Sequence, residues 1–280
     1  MKPHPETSLW PAGAARLEVD LVFGQSTVTA AYATSPLKLL TPRSRADSVW
    51  AYSSSFGGGL LAGDQTYLDV RIGPGARCFL STQSATKVYR NPAGLPCAHQ
   101  THAILEKDAL MVFAPDRVQP FAGSIYRQSQ QWHLADGAGL VLVDWFCSGR
   151  VARGERWEFA RFQSRNDVFV SGERVFVDSI LLDGTDDSLH SPHRVGRFDC
   201  FAMLLFLGPP CRTIAAELLQ TVSARPVTRS GSLLCSAGPV RDGALLRLAG
   251  EGSEAVSREL ERHLQPLSSV LGDNPWLRKW

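Results

Sequence analysis

The sequence lacks a segment of the kind that carries a protein into or across a membrane. Residues 1–11 contain three prolines and no long apolar run, so they lack the core of a secretory signal. The best apolar run, residues 201–207, is much shorter than the roughly 18 residues that a membrane-spanning helix needs. We therefore expect a soluble cytoplasmic protein with no membrane partner.

Neither sign of charge is in clear excess. Lys and Arg number 29, Asp and Glu number 27, and the formal net charge is +2. A nucleic-acid-binding protein usually carries a strong basic surplus. No nucleic-acid partner is expected.

The six cysteines contain no Cys-x-x-Cys pair. They are far apart and lie mostly among apolar residues, which is typical of reduced thiols packed in a core. A disulfide framework or a structural zinc site would need closer spacing. The six are Cys78, Cys97, Cys147, Cys200, Cys211 and Cys235.

The motifs of several enzyme classes are missing. The glycine stretch at 57–63 is not followed by the Lys-Ser/Thr of a phosphate loop, so a turn that packs two strands closely is favoured there. No Gly-x-Ser-x-Gly nucleophile motif occurs. Two pairs of histidines three residues apart lack companion ligands and predict exposed loop histidines. These pairs are His99 with His102 and His190 with His193.

The acidic residues leave one catalytic alternative open. Two carboxylates brought together could serve as acid and base in a β-helical carbohydrate hydrolase. A β-structured interaction module without any metal role is a further alternative. The candidate carboxylates are Asp64, Asp144, Glu155, Glu158 and Asp178.

Short alternating segments dominate the first two-thirds of the chain. Residues 15–23 place Leu17, Val19 and Leu21 on one face, and similar segments recur as far as residue 182. Two of them, 156–164 and 167–171, predict separate strands. Gly, Pro, Asn and Asp turns separate the segments without intervening helical patterns, which favours an all-β architecture there.

Helical periodicity appears only near the C-terminus. Residues 213–224 and the segment from Ser253 to Pro266 predict two α-helices. No repeat of fixed period is present, so one domain is the simplest organisation. We assign 1–14 to a flexible leader and 15–280 to the domain, which is β-rich over 15–208 and contains helices over 209–280.

Five stretches in order resemble the urease accessory protein family UreD, also called UreH. Their order and spacing match across about residues 15–183, and residues 275–280 resemble that family's C-terminal ending. The five stretches are 35–38, 57–64, 83–89, 120–122 and 149–155.

The resemblance implies a mostly β fold, a helix-like stack of β-strands followed by two C-terminal α-helices. It also implies a non-catalytic scaffold that binds the accessory protein UreF, through it the GTPase UreG, and the urease apoprotein. In this family picture nickel travels to urease through an internal polar passage. The only metal implied is transient Ni²⁺, with no tightly bound cofactor.

A passing Ni²⁺ ion needs sparse oxygen or nitrogen ligands, because a complete coordination shell would trap it. From the matched stretches, Asp64, Ser84 and Glu155 are carried over as candidate ligands along the passage, and Asp178 is added on a looser local match. Within this interpretation, the glycine turn is expected to point Asp64 inward.

Overall fold

The computed structural model describes residues 11–43, 46–186, 189 and 191–278. The first ten residues of the predicted leader therefore lie outside the described residues. The first strand begins at Ala14, one residue before the predicted domain start.

The described residues form a mostly β fold with three α-helices near the C-terminus. The strands are β1 (Ala14–Val22), β2 (Gln25–Ala33), β3 (Leu37–Leu40), β4 (Val49–Ser55), β5 (Gln65–Ile72), β6 (Arg77–Thr82), β7 (Thr86–Val88), β8 (Cys97–Leu105), β9 (Leu110–Phe113), β10 (Val118–Pro120), β11 (Ile125–Leu134), β12 (Gly139–Cys147), β13 (Arg161–Val170), β14 (Glu173–Asp183), β15 (Cys200–Leu207), β16 (Leu233–Val240) and β17 (Gly243–Gly250). The helices are α1 (Arg212–Ser223), α2 (Ser253–Leu264) and α3 (Leu267–Leu271).

Between β4 and β13 the chain winds back and forth between two stacked sheets. Strands β5, β8, β11 and β13 run parallel in a seven-stranded sheet, and β4, β6, β9 and β12 run parallel in a ten-stranded sheet. Each turn of the stack contributes one strand to each sheet, and successive turns begin 28 to 33 residues apart. This architecture confirms the predicted helix-like stack.

Antiparallel strands close both ends of the stack. In the seven-stranded sheet, β2 and β14 form the two edges. In the ten-stranded sheet, β3 forms one edge, and β15, β17 and β16 extend the other.

The α-helices cover the outer face of the ten-stranded sheet. Ile214 and Leu218 of α1 and Leu260 of α2 pack against buried strand residues such as Leu204 and Leu246. A separate apolar core lies between the two sheets. The described residues thus form three layers, in which the apolar faces of α1 and α2 are buried against the ten-stranded sheet.

Both predicted helices are confirmed within one residue at their N-termini, and a third is added. Pro266 does not end the helical structure, as its position predicts, but separates α2 from the short helix α3. Proline is tolerated at a helix N-terminus because its missing N–H would have no partner there.

The two strands predicted at 156–164 and 167–171 are wrong as separate elements. One strand, β13, covers Arg161–Val170, and Trp157 and Phe159 precede it as buried aromatic residues outside any strand. Asn166 and Asp167 lie in the middle of β13, and both side chains are buried.

All six cysteines are free, and five of them are buried. This agrees with the prediction of reduced packing thiols. Within the described ranges, no helix combines the length and apolarity that crossing a membrane requires.

Candidate functional site

A band of polar side chains crosses the interior between the two sheets. Directly paired residues of neighbouring strands point to the same face of a sheet, and we call such a row of paired residues a level. In the seven-stranded sheet the polar side chains occupy two adjacent levels. With Asp144, which faces them from β12, we call these residues the polar layer. The first level consists of Thr66, His99, Gln128 and Ser164, and the second of Thr101, Gln130, Asn166 and Asp178.

Apolar levels border the polar layer on both sides along the strand direction, so the layer is continuous only across the strands. From β5 to β14 it covers four strand-to-strand steps, or roughly 19 Å. On one side lie Val70, Ala103, Trp132, Val168 and Phe176, and on the other Cys97, Tyr126, Phe162 and Leu182.

Asp144 is the centre of the polar layer. Its Oδ1 accepts a hydrogen bond from Gln128 Nε2 at 3.1 Å, and its Oδ2 accepts bonds from Ser164 Oγ at 2.6 Å and Asn166 Nδ2 at 2.8 Å. Burial raises the pKa of Asp144, the three donors oppose that rise, and the charge of Asp178 adds to it. A buried carboxylate therefore bridges the two sheets.

Two cavities meet at Asp144. The first, of about 90 Å³, is lined by His99, Gln128 and Asp144 and reaches the surface beside exposed Ser84. The second, of about 300 Å³, is lined by Asp144 and Asp178 and reaches the edge of the stack at exposed Arg247. Asp144 is the residue that the two linings share.

Two amide oxygens of the polar layer have no protein partner. Gln130 Oε1 and Asn166 Oδ1 are both buried without a hydrogen bond. A buried polar atom left unpaired is costly. Such oxygens suit a water molecule or a passing cation.

His99 is not an exposed loop histidine, as its spacing from His102 had suggested. It lies in β8 and lines the first cavity, with Nδ1 2.9 Å from Thr66 Oγ1 and Nε2 3.1 Å from Thr101 Oγ1. Desolvation lowers the pKa of His99 to about 4, so the ring is neutral at pH 7. His102 is exposed, but also within β8, and His190 lies outside the described residues.

Ser84 and Asp178, two of the predicted ligands, line different cavities. Ser84 is exposed at the mouth of the first cavity. Asp178 is buried in the second cavity, where its Oδ1 lies 2.5 Å from Arg247 Nη2. Asp144 lines both of these cavities, and the ligand roles of Ser84 and Asp178 stay predictions.

Asp64 lines neither cavity. Its side chain is half-buried, and Oδ2 accepts a hydrogen bond from the Leu61 backbone N–H at 2.8 Å. The carboxylate therefore closes its own turn, which corrects the expected inward orientation.

The backbone of the glycine stretch packs closely against β7 and the residue after it. This agrees with the closely packed turn that the sequence favours. Leu60 forms an isolated parallel bridge to Val88, and its N–H donates to Lys87 O at 2.8 Å. A Cβ on Gly59 would lie 2.6 Å from a ring carbon of Tyr89 and 2.7 Å from Lys87 O. Only glycine fits at this position without a shift of its neighbours.

Gly59→Ala is expected to lower the free energy of unfolding by about 1–3 kcal/mol through overpacking. Gly238→Ala is the matched control, because a Cβ there meets nothing within 4 Å. The control should leave stability unchanged or raise it by about 0.5–1 kcal/mol. Urea denaturation of both variants measures the difference, and equal stabilities would contradict the packing argument.

Glu155 has a structural bonding pattern outside the two cavities. Its carboxylate forms a two-point ion pair with the Arg150 guanidinium, and Oε2 accepts the Ala122 N–H at 3.2 Å. The bond from Arg150 lowers the pKa of Glu155. Glu155 thus ties the 150–155 turn to the segment after β10, and its ligand role also stays a prediction.

Sequence reasoning missed most of the polar layer. Asp144 was considered only as a possible acid or base, and Gln128, Gln130 and Asn166 were not selected. One signal was present: in β11, inward positions alternate regularly, and two of them are glutamines between Tyr126 and Trp132. Glutamine at a core position predicts a polar interior at that level.

The polar layer contains no ready-made metal centre. Among the residues that the structure describes, no group of three or more His, Cys, Asp or Glu is arranged to hold a metal ion. Its donors are mainly hydroxyl and amide groups around two carboxylates.

Comparison with known proteins gives a consistent family relationship. The sequence model of the family described as "UreD urease accessory protein" matches residues 12–280. The chain is 44% identical over 270 residues to urease accessory protein UreD of Sorangium cellulosum, covering 96% of this chain and 85% of that protein. It is also 33% identical over 292 residues to urease accessory protein D of Arabidopsis thaliana, covering 93% and 98%.

Proposed function

We propose that this chain, which belongs to the UreD family of urease accessory proteins, is a non-catalytic scaffold that carries nickel to the urease apoprotein. It binds urease together with UreF and with the GTPase UreG, which attaches through UreF. Nickel passes through the polar layer toward the urease active site. The assembly acts in the cytoplasm.

The observation that carries this proposal is the position of Asp144. Its carboxylate lines both cavities and lies between Ser84 at one mouth and Asp178 near the other. A divalent cation in an otherwise apolar interior needs negative charge and polar oxygens along its way. The apolar levels on both sides favour the polar layer as part of such a path.

The donor set suits brief binding of Ni²⁺. Carboxylate, hydroxyl and amide oxygens surround the route, together with the neutral ring of His99. Hydrogen bonds from Gln128, Ser164 and Asn166 already occupy the oxygens of Asp144, so a cation there competes with these donors. An ion held this way is released more easily than from a complete set of thiolate or imidazole ligands.

A conduit of this kind needs a partner at each mouth. Two exposed apolar side chains lie here: Phe56 directly precedes the glycine stretch, and Leu61 lies within it. The same stretch contributes Gly58 to the lining of the first cavity. Exposed apolar side chains around an opening favour protein contact. We place one partner of the maturation complex on this side.

The hydrolase alternative has less support. Asp64 bonds to its own turn and Glu155 to Arg150, and the two do not share a cavity. Asp144 and Asp178 do share one, but Asp178 is paired with Arg247. The family relationship favours the accessory role.

The proposal is tested by making urease with and without this chain. The urease subunits are co-expressed with UreF and UreG, and the nickel content of purified urease is measured by mass spectrometry. Without the chain, we expect assembled urease with less than about a tenth of the normal nickel, since the proposed route is absent. Urease with its full nickel content would overturn the proposal.

A further inference from the structure

Arg247 stands at the outer end of the polar layer. It is paired directly with Met203, which in turn is paired with Asp144, so all three point to the same face of the ten-stranded sheet. Its strand, β17, lies beyond β15 toward the edge, where the second cavity reaches the surface. These three residues therefore form a row across the sheet, from the buried carboxylate of Asp144 to the exposed guanidinium of Arg247.

The ion pair between Arg247 and Asp178 is unequal in exposure. The side chain of Asp178 is 6% exposed and that of Arg247 is 49% exposed, with 2.5 Å between Oδ1 and Nη2. A buried carboxylate needs a counter-charge nearby. Arg247 supplies that charge from a side chain that is half exposed to solvent.

Asp178 has a buried amide oxygen and a second carboxylate near it. Asn166 is paired directly with Asp178 across β13 and β14, and its Oδ1 is buried without a partner. Asn166 Nδ2 donates to Asp144, whose pKa the charge of Asp178 helps to raise. Two carboxylates and an unpaired amide oxygen thus lie within one connected network.

The other arginine in this cavity has a different partner. Arg194 lines the same cavity, but its Nη1 lies 2.6 Å from Asp186 Oδ2, and both side chains are more than one-third exposed. Arg194 therefore provides a comparison for the general effect of positive charge near the outer mouth.

We propose that Arg247 occupies the cation position of Asp178 in the resting protein and that a divalent cation must displace it to pass. This inference rests on the proposed nickel route and adds a gate to it. Arg247 and the divalent ion compete for the same carboxylate, so the outer end stays neutralised when no metal is moving. The two negative charges of Asp144 and Asp178 attract a divalent cation more strongly than they attract a singly charged guanidinium.

Equilibrium dialysis of Ni²⁺ against the purified full-length chain tests the competition. Arg247→Gln removes the competing charge and should tighten Ni²⁺ binding by about tenfold. Arg247→Lys keeps a cation at that position and should stay within about twofold of wild type. Thermal unfolding of each variant without metal establishes that it is folded.

Two further variants locate the effect. Arg194→Gln should bind Ni²⁺ like wild type, because Arg194 is paired with Asp186. In Arg247→Gln/Asp178→Asn, the tighter binding should be lost. Equal affinities of Arg247→Gln and wild type would overturn the gate, and so would a gain that persists in the double variant.

A separate readout distinguishes failure of the gate from failure of the nickel route. Urease is matured with the Asp144→Asn chain and its nickel is measured. Normal nickel in that urease would reject the route whatever the dialysis shows. Depleted nickel, combined with unchanged affinity in Arg247→Gln, would reject the gate and leave the route in place.

Discussion

Urease matured with an Asp144→Asn chain is expected to contain about a tenth or less of the wild-type nickel and to lose activity in proportion. Asn has nearly the same shape as Asp but carries no charge, so the two cavities would meet at a neutral group. A desolvated dication without negative charge at the middle of its route faces a large barrier. Mass spectrometry of purified urease gives the nickel content.

The variant should remain folded. Replacing Asp144 by Asn removes the energetic cost of burying a charge, which is also what raises the pKa of Asp144. It also puts an NH2 group in place of one carboxylate oxygen, so one of the three hydrogen-bond donors loses its acceptor. These effects oppose each other, so we expect a change in stability within about 1 kcal/mol. The matched control is Asp69→Asn, the same substitution on an exposed side chain of β5, which should leave nickel delivery intact.

The raised pKa of Asp144 also sets the direction of a pH effect. In the folded chain Asp144 binds its proton at higher pH than in the unfolded chain, so its ionisation above the raised pKa costs stability. Any stability advantage of Asp144→Asn should therefore be largest above the raised pKa and shrink as the pH falls through it. Denaturation of both proteins across this range measures the trend, and an advantage that grows on acidification would contradict it.

Asp144→Asn also separates the proposed route from a metal-independent interaction module. A module of that kind would need its surface but not a buried carboxylate. Normal nickel in urease matured with a folded Asp144→Asn chain would favour the module, while depleted nickel would favour the route.

Trp132→Ala is expected to lower the free energy of unfolding by about 3–5 kcal/mol. Trp132 is fully buried in the apolar level beside the polar layer, and its ring lies 5.0 Å from that of Phe113. Its indole nitrogen has no hydrogen-bond partner, so the loss comes from packing and from the cavity left behind. Urea denaturation measures the change.

Two variants frame this prediction. Trp132→Phe keeps an aromatic ring at the site and should cost less than Trp132→Ala, about 1–2 kcal/mol. Phe23→Ala removes a ring that is fully exposed and should change stability by less than about 0.5 kcal/mol. If Trp132→Ala lowered the free energy of unfolding no more than Phe23→Ala, packing of the apolar level around Trp132 would not contribute to the stability of the fold.

Local signals in the sequence were enough for most of the elements. The alternation of residues 15–23 predicted a strand, in which Leu17 and Val19 are buried and Leu21 is exposed, and the four-residue spacing in α1 and α2 predicted helices with one buried face. Glycine spacing also identified the turn at 57–63. Five motifs in order were sufficient for the family, since that relationship needs no knowledge of contacts.

Only the tertiary structure showed the spacing of the turns of the stack and the polar layer. The turns of the stack begin 28 to 33 residues apart without a matching sequence repeat, because parallel pairing constrains backbone geometry and allows the side chains to vary. Register then placed Gln128, Ser164 and Asn166 opposite Asp144, although they belong to different strands. The sequence does not show which residues of the opposite sheet a carboxylate contacts. Only the tertiary structure therefore identifies Asp144 as the centre of the polar layer and places Asp64 and Glu155 outside the cavities.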